Sequence, residues 1–377
     1  SILEDRSTAG SWNSTEYMVR GRVDYSLTLL DDGRPLAVGG RGWETSNYEN
    51  SAEVFDPITE SWSAVASMTE FRRSHTATKL QDGTVLVIGG YKINEEQGSD
   101  TIDLKTAEIY DPVADDWSEL ISLSYKRSGH TAILLPDGNV LVAGGICDDI
   151  PDFTVTNTVE IYNPDTETFT FYWEPHMVQR RRYHTATLLQ DGTVLVVGGW
   201  GYDWDGDGYY KDSAEIYDPE DGSWTQITDK MSTPRHHHTA TMLNDGRVLI
   251  SGGQFDSNYT NDTAEIYNPV DQTFSDPILM NNGRTNHTAT LLPNGKVLIA
   301  GGRECPDSGT GETTLNTSEF FDPELNSFSP VIDLMDHYRE SHSAVLLQEG
   351  KVIIAGGNDY DDDYYWSSSE IFTPEEY

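Results

Sequence analysis

The chain has 377 residues, of which 63 are acidic and 24 are Lys or Arg, giving a formal net charge of −39. A field of that sign repels nucleic acid and anionic membrane surfaces, and no stretch approaches the ~20 continuous apolar residues of a membrane span. The two cysteines, Cys147 and Cys305, fall in different parts of a repeating pattern and are expected to be free thiols.

In chain order the first element is a short strand over residues 8 to 16 that carries Ser11-Trp12 and has no neighbour of its own to pair with. From Arg22 onward one phrase recurs. Arg22, Arg72, Arg127, Arg181, Arg235, Arg284 and Arg339 are each followed, three residues later, by Tyr25, His75, His130, His184, His238, His287 or His342. Fourteen residues further on stands a Gly-Gly pair, beginning at Gly39, Gly89, Gly144, Gly198, Gly252, Gly301 and Gly356. Steps of 49 to 55 residues between pairs point to a propeller or another repeat array.

The copy over residues 235 to 275 reads most clearly. His238 to Leu243 and Arg247 to Gly253 are short aliphatic runs joined by Asn244-Asp245-Gly246, a hairpin turn, and they form strands A and B. A polar loop leads to strand C at Thr263 to Tyr267, closed by Asn268-Pro269, and strand D starts near Phe274. Four antiparallel strands make one blade, which buries its two apolar faces only by stacking against neighbours around an axis. Trp62, Trp117, Phe169, Trp224, Phe274 and Phe328 read as the strand D side chains that fill the gaps between blades. The seventh copy ends after Glu370-Ile371-Phe372-Thr373-Pro374 without such an aromatic, whereas Ser11-Trp12 matches Ser61-Trp62 and Ser223-Trp224. The expected fold is therefore an all-β, seven-bladed propeller, one domain over residues 1–377, whose N-terminal strand completes the last blade.

These residues resemble the Kelch-repeat family, whose motif is a Gly-Gly pair followed by spaced Tyr and Trp. Tyr110, Tyr162, Tyr217 and Tyr267 match the Tyr, with Phe55, Phe321 and Phe372 in the other copies. The resemblance spans nearly the whole chain and extends to the propeller domain of galactose oxidase-like proteins. It implies the propeller; for function it leaves open a protein-binding platform, a sugar epimerase or a copper oxidase domain. The copper enzymes of this kind have a Tyr-His tandem, which Tyr183-His184 resembles. They also need a cysteine cross-linked to a second tyrosine and a histidine from a further domain, for which this sequence has no match, so no copper is expected. No nucleotide fingerprint is present either.

In such a blade the A–B and C–D turns share one rim, and the B–C loops share the other with the D-to-A connections. The second rim carries the longer, more individual loops, where function concentrates on a rigid scaffold. Seven Arg before strand A and seven strand C glutamates, Glu53, Glu108, Glu160, Glu215, Glu265, Glu319 and Glu370, read as repeated ion pairs that stitch blades together. The strand A histidines read as satisfied core groups. Residues that break the repeat are the candidates for ligand contact: Arg41, Trp43, Arg73, Tyr91, His176, Arg182, Trp200, Tyr202, His236, Phe255, Arg303, His337, Tyr360 and Trp366. Aromatic rings stack on the C–H faces of sugars while charged groups bind hydroxyls, and aromatic-plus-Arg mixtures equally suit peptide hot spots. Asp203, Asp205 and Asp207 alternate ahead of Gly208 as in the opening of a calcium loop, although Ala214 stands where the last ligand would be. The sequence thus predicts a monomeric recognition module, secreted or at the cell surface, for a carbohydrate or an extracellular protein, with Ca2+ as a loop organiser. A lyase or epimerase using His, Tyr and Arg is the alternative.

Overall fold

The computed structural model describes residues 10–42, 48–93, 101–147, 155–172, 174–202, 208–256, 259–305, 311–359 and 364–375. Seven antiparallel sheets follow one another around an axis, each ordered A-B-C-D from the centre outward. Blade 1 comprises Ser26–Leu29, Pro35–Val38, Ala52–Asp56 and Ser61–Val65. Strand A of each blade contacts strand A of the next, closing the circle between Ser343–Leu346 and Ser26–Leu29. The outer strand of blade 7 is Ser11–Ser14, with Trp12 opposite Phe372 and Ser14 opposite Glu370, so the N-terminal strand does complete the last blade.

Strand B is sandwiched between neighbouring blades and is buried at all four positions in every copy, which is why its sequence is a continuous aliphatic run. Seven apolar clusters result, one at each blade interface. Each also takes the aromatic pair of strands C and D, from Phe55–Trp62 at 5.2 Å to Phe321–Phe328 at 5.0 Å. Trp12 and Phe372, 5.1 Å apart, supply the pair that the last copy lacked.

The Gly-Gly pairs sit where blades meet most closely. Both residues have positive φ, +65° and +99° at Gly39 and Gly40. A Cβ on Gly39 would lie 2.6 Å from the carbonyl oxygen of Arg72 and 2.8 Å from His75 Cε1, both in the next blade. The neighbouring Gly40 N–H donates to that same Arg72 carbonyl at 2.8 Å, and its counterparts repeat the bond around the ring.

The Arg–Glu pairs are present in all seven blades, with both side chains almost fully buried. They differ from expectation in what they join. Arg181 donates to Glu215 Oε1, to the carbonyls of Gly198 and Ser213 and to Ser213 Oγ, all in its own blade, while Glu215 accepts the main-chain N–H groups of Val178 and Gln179. The pair therefore ties the D-to-A connection onto strands B and C. Adjacent blades are joined instead by the arginine's carbonyl and by the strand A histidines. Nε2 of His75 meets Ser26 Oγ at 3.0 Å, His184 meets Thr131 Oγ1 at 3.0 Å and His342 meets Thr288 Oγ1 at 3.1 Å. Those histidines are core groups, as expected, although only Nε2 is satisfied and Nδ1 of all six has no partner among the described residues; burial holds His75, His184 and His287 neutral, down to about 3.

Two further features depart from the sequence reading. The outer strand is split in blades 2 and 5, where Ile121–Ser122 and Ile278–Leu279 rejoin strand C beyond a one-residue bulge, at which Ser118 Oγ and Ser275 Oγ accept the strand C N–H groups of Ile109 and Ile266. Among the described residues, five B–C segments, expected as polar loops, pair as short two-stranded ladders of their own, such as Trp200–Tyr202 with Gly208–Tyr210. Cys147 and Cys305 are buried, and neither is in a disulfide.

Candidate functional site

The axis opens on the loop-rich rim into a pocket of about 300 Å3 lined by Asp24, Ser74, Gly129, Tyr183 and His237 above the strand A ring of His75, His130, His184 and His238. These five, with Asn286 and Ser341, occupy the place just before the strand A ring residue in each blade, and all have φ between 51° and 60°. Left-handed backbone is easy for Gly129 and tolerable for Asp24 and Asn286, but costly for Tyr183. What holds it is a collar of main-chain bonds from blade to blade. Ser74 N–H donates to Asp24 O at 3.0 Å, Tyr183 N–H to Gly129 O at 2.9 Å, and Ser341 N–H to Asn286 O at 3.1 Å. Side chains at these positions are thereby fixed at the mouth.

A second tier surrounds the collar. The residue after each strand-leading Arg bridges the residue after the Gly-Gly pair: Arg73 with Tyr91, Ser128 with Ile146, Arg182 with Trp200, His236 with Gln254, Thr285 with Arg303. The predicted residues Arg41, Arg73, Tyr91, Arg182, Trp200, His236 and Arg303 all belong to this tier. Arg182 lies over the rings of Trp200 at 4.5 Å and Tyr183 at 5.1 Å. Arg73 lies over Tyr91 at 4.6 Å and Tyr48 at 5.1 Å, with Asp24 3.6 Å away. Arg41 faces the Tyr365 ring, and Arg303 is paired with Glu312 at 2.6 Å and Glu340 at 3.5 Å.

Aromatic rings continue from blade 4 into blade 5. Tyr183 stacks on His237 at 4.3 Å, His237 leans on His236 at 4.8 Å, and His236 meets Tyr210 at 4.7 Å. Burial keeps both histidines uncharged, His237 down to about 3 with help from His236 and Arg182. Burial also raises the carboxyls of Asp24 and Glu340 above their ordinary range, and pushes the Tyr91 hydroxyl up to about 12.

Other predicted residues lie elsewhere on this rim. His176 sets Nδ1 within hydrogen-bond distance of Asn157 Nδ2 in the B–C loop and of the Met177 carbonyl in its own D-to-A connection, and His337 packs against Trp366 at 4.3 Å. Neither lines the axial pocket. Phe255 stacks on Tyr259 within the short blade 5 ladder, and Tyr202 packs edge-on against Trp200. Trp43, Tyr360 and the calcium-loop residues Asp203, Asp205 and Asp207 lie outside the described residues. The sequence reading missed the collar residues Asp24 and His237, and also Ser128 and Glu340, and weighed Tyr183 only as half of a copper-type Tyr-His tandem. Their signal was a fixed register between Arg and His that is occupied largely by turn-forming residues.

Residues 74–282 match the family model of the KLHDC2/KLHL20/DRC7 Kelch-repeats domain, and residues 33–69 match the Kelch motif. The chain belongs to the Kelch-repeat family. Human Kelch-like protein 23 is 25% identical over 274 residues, 72% of this chain and 44% of that protein, so the chain spans under half the length of that relative. Galactose oxidase of Gibberella zeae is 38% identical over 79 residues, 20% of this chain and 12% of the enzyme. A solved structure described as a fungal alcohol oxidase of the AA5 family, in complex with copper, superposes with a TM-score of 0.72 at 18% identity, covering 97% of this chain and 76% of that one. This Kelch propeller is related to the galactose oxidase type in fold. Kelch propellers are typically protein-interaction modules, and among the described residues no helix is long and apolar enough to cross a membrane.

Proposed function

We propose that the loop-rich mouth is a recognition site for a carbohydrate that carries a carboxylate, on a protein working outside the cell or at its surface. One observation carries the reading. The Arg182 guanidinium lies over the Trp200 and Tyr183 rings at the mouth, its Nε without a hydrogen-bond partner among the described residues. Buried polar groups are normally satisfied, and guanidinium groups prefer planar oxyanions. The absence of an ion pair between Arg182 and a carboxylate among the described residues, in a chain of net charge −39, supports an acid group on the ligand. The ring series Trp200, Tyr183, His237 and His236 beside it offers stacking faces for the sugar's C–H surface.

Recognition is favoured over turnover because a base poised near neutral pH is what a lyase or epimerase needs, and His236 and His237 are both shifted away from that range. An acidic protein segment is the second reading, supported by the family's usual role. Calcium is proposed as a ligand of Asp203, Asp205 and Asp207, which follow Trp200–Tyr202 in sequence, and calorimetric titration with Asp205→Ala as control tests it. The main test is calorimetry with oligogalacturonate and with its methyl ester. Saturable heat from the acid alone, lost in Arg182→Ala, supports the proposal; equal heats from acid and ester refute it. Product formation would favour the enzyme.

A further inference from the structure

The seven outer strands of the propeller present free main-chain edges, and such edges recruit other strands unless blunted. Six are guarded. Trp12 N–H is capped by Asp333 at 2.7 Å and Phe274 N–H by Asp229 at 2.7 Å. Blades 2 and 5 break their edge with a bulge, and the blade 6 edge carries Pro330. Blade 4 has only Trp224–Gln226, and the blade 1 strand Ser61–Val65, equally uncharged and in register at five positions, is tied to the next blade just beyond its end, by Asp115 on Ala66 N–H and by the Trp117 indole on the Ala66 carbonyl.

Blade 3 differs. Its outer strand, Thr168–Tyr172, reads Thr-Phe-Thr-Phe-Tyr, with no charge and no proline, and runs in register with strand C at all five positions. Phe169 and Phe171 face inward, Phe171 against Tyr125 at 4.9 Å, while Thr168, Thr170 and Tyr172 are exposed. Carboxylates bracket this uncharged strand: Asp165 and Glu167 lie exposed before it and Glu174, 83% exposed, after it. Antiparallel pairing of two copies would set these acids against each other, so self-association is disfavoured.

We propose that the blade 3 edge is a strand-addition site for an extended segment of a protein partner, alternating β-branched residues between basic flanks. Main-chain bonds along Thr168–Tyr172 supply affinity, and the bracketing acids select the flanks. This surface is separate from the axial mouth.

The test is fluorescence polarisation with a labelled peptide alternating Thr and Val between terminal lysines, the same peptide with terminal glutamates, and the lysine form with alternate amides N-methylated. The lysine peptide is expected to bind saturably, and N-methylation or Thr170→Lys is expected to weaken it at least about tenfold. Glu167→Lys with Glu174→Lys should transfer preference to the glutamate peptide. Thr170 is exposed, so its lysine variant keeps the melting temperature and remains a valid reading if the double variant misfolds. Absence of saturable binding, equal binding of the N-methylated peptide, or binding indifferent to Thr170→Lys overturns the proposal.

Discussion

Replacing Glu215 by Ala removes one half of a pair that the blade cannot do without. Glu215 accepts Arg181 Nη2 at 2.8 Å and Nε at 3.0 Å, and caps the N–H groups of Val178 and Gln179 at 2.5 and 3.1 Å. With the carboxylate gone, a guanidinium of 0% exposure is left without its counter-charge. Breaking a buried pair in this way costs about 3–5 kcal/mol, and the two orphaned N–H groups add about 1 kcal/mol each. Arg181→Met should cost a similar amount. Arg181→Met with Glu215→Leu removes both charges together and should cost clearly less than the sum of the singles, because no isolated charge remains buried. Urea unfolding followed by tryptophan fluorescence measures all three. A Glu215→Ala cost under about 1 kcal/mol, or additive singles, would refute the view that these pairs anchor the connections.

Arg182→Ala should leave the urea midpoint nearly unchanged while abolishing binding of acidic oligosaccharide, since no carboxylate pairs with Arg182 among the described residues; a large stability loss would recast it as structural. Gly199→Ala puts a Cβ 2.7 Å from Arg182 O at a φ of +94°, so a loss above about 2 kcal/mol is expected by the same unfolding assay. His75, His184 and His287 have pKa values lowered to about 3, so the unfolded chain takes up protons first. Their contribution is complete above about pH 6.5 and is lost as pH falls toward 3, at up to ~1.4 kcal/mol per histidine per pH unit. A melting temperature flat from pH 7 to pH 4.5 would contradict this. Deleting residues 1 to 20 removes Trp12 from the last core cluster and should lower the melt by several degrees; an unchanged melt would mean that closure is not stabilising.

Blade number, strand order and the pairing of Ser11-Trp12 with the last copy were legible because each rests on register repeated seven times. The short two-stranded ladders were not, because Trp200–Tyr202 and Gly208–Tyr210 carry glycine and no apolar alternation of their own and are ordered by the rim beneath. The candidate site was half legible. Arg73, Arg182 and His236 stood out by departing from the repeat, but Ser128 looks like any loop serine until its hydroxyl is seen buried between two arginine-bearing blades. His237 was hidden, and the place of Tyr183 in the collar with it, by a backbone conformation that residue type argues against and that the inter-blade collar enforces. His176 was overrated for the opposite reason: a histidine out of register can still be spent on its own connection.

The pairing of Ser11–Ser14 with Ser369–Thr373 has a bearing on how the protein is made. The strand at the start of this chain emerges from the ribosome long before the one it must grip, so throughout translation the nascent polypeptide holds an unmatched tryptophan-bearing ribbon. The last sector can be completed only after the final Kelch copy has been synthesised, which makes its assembly a late, long-range event and exposes unfinished molecules to capture by chaperones.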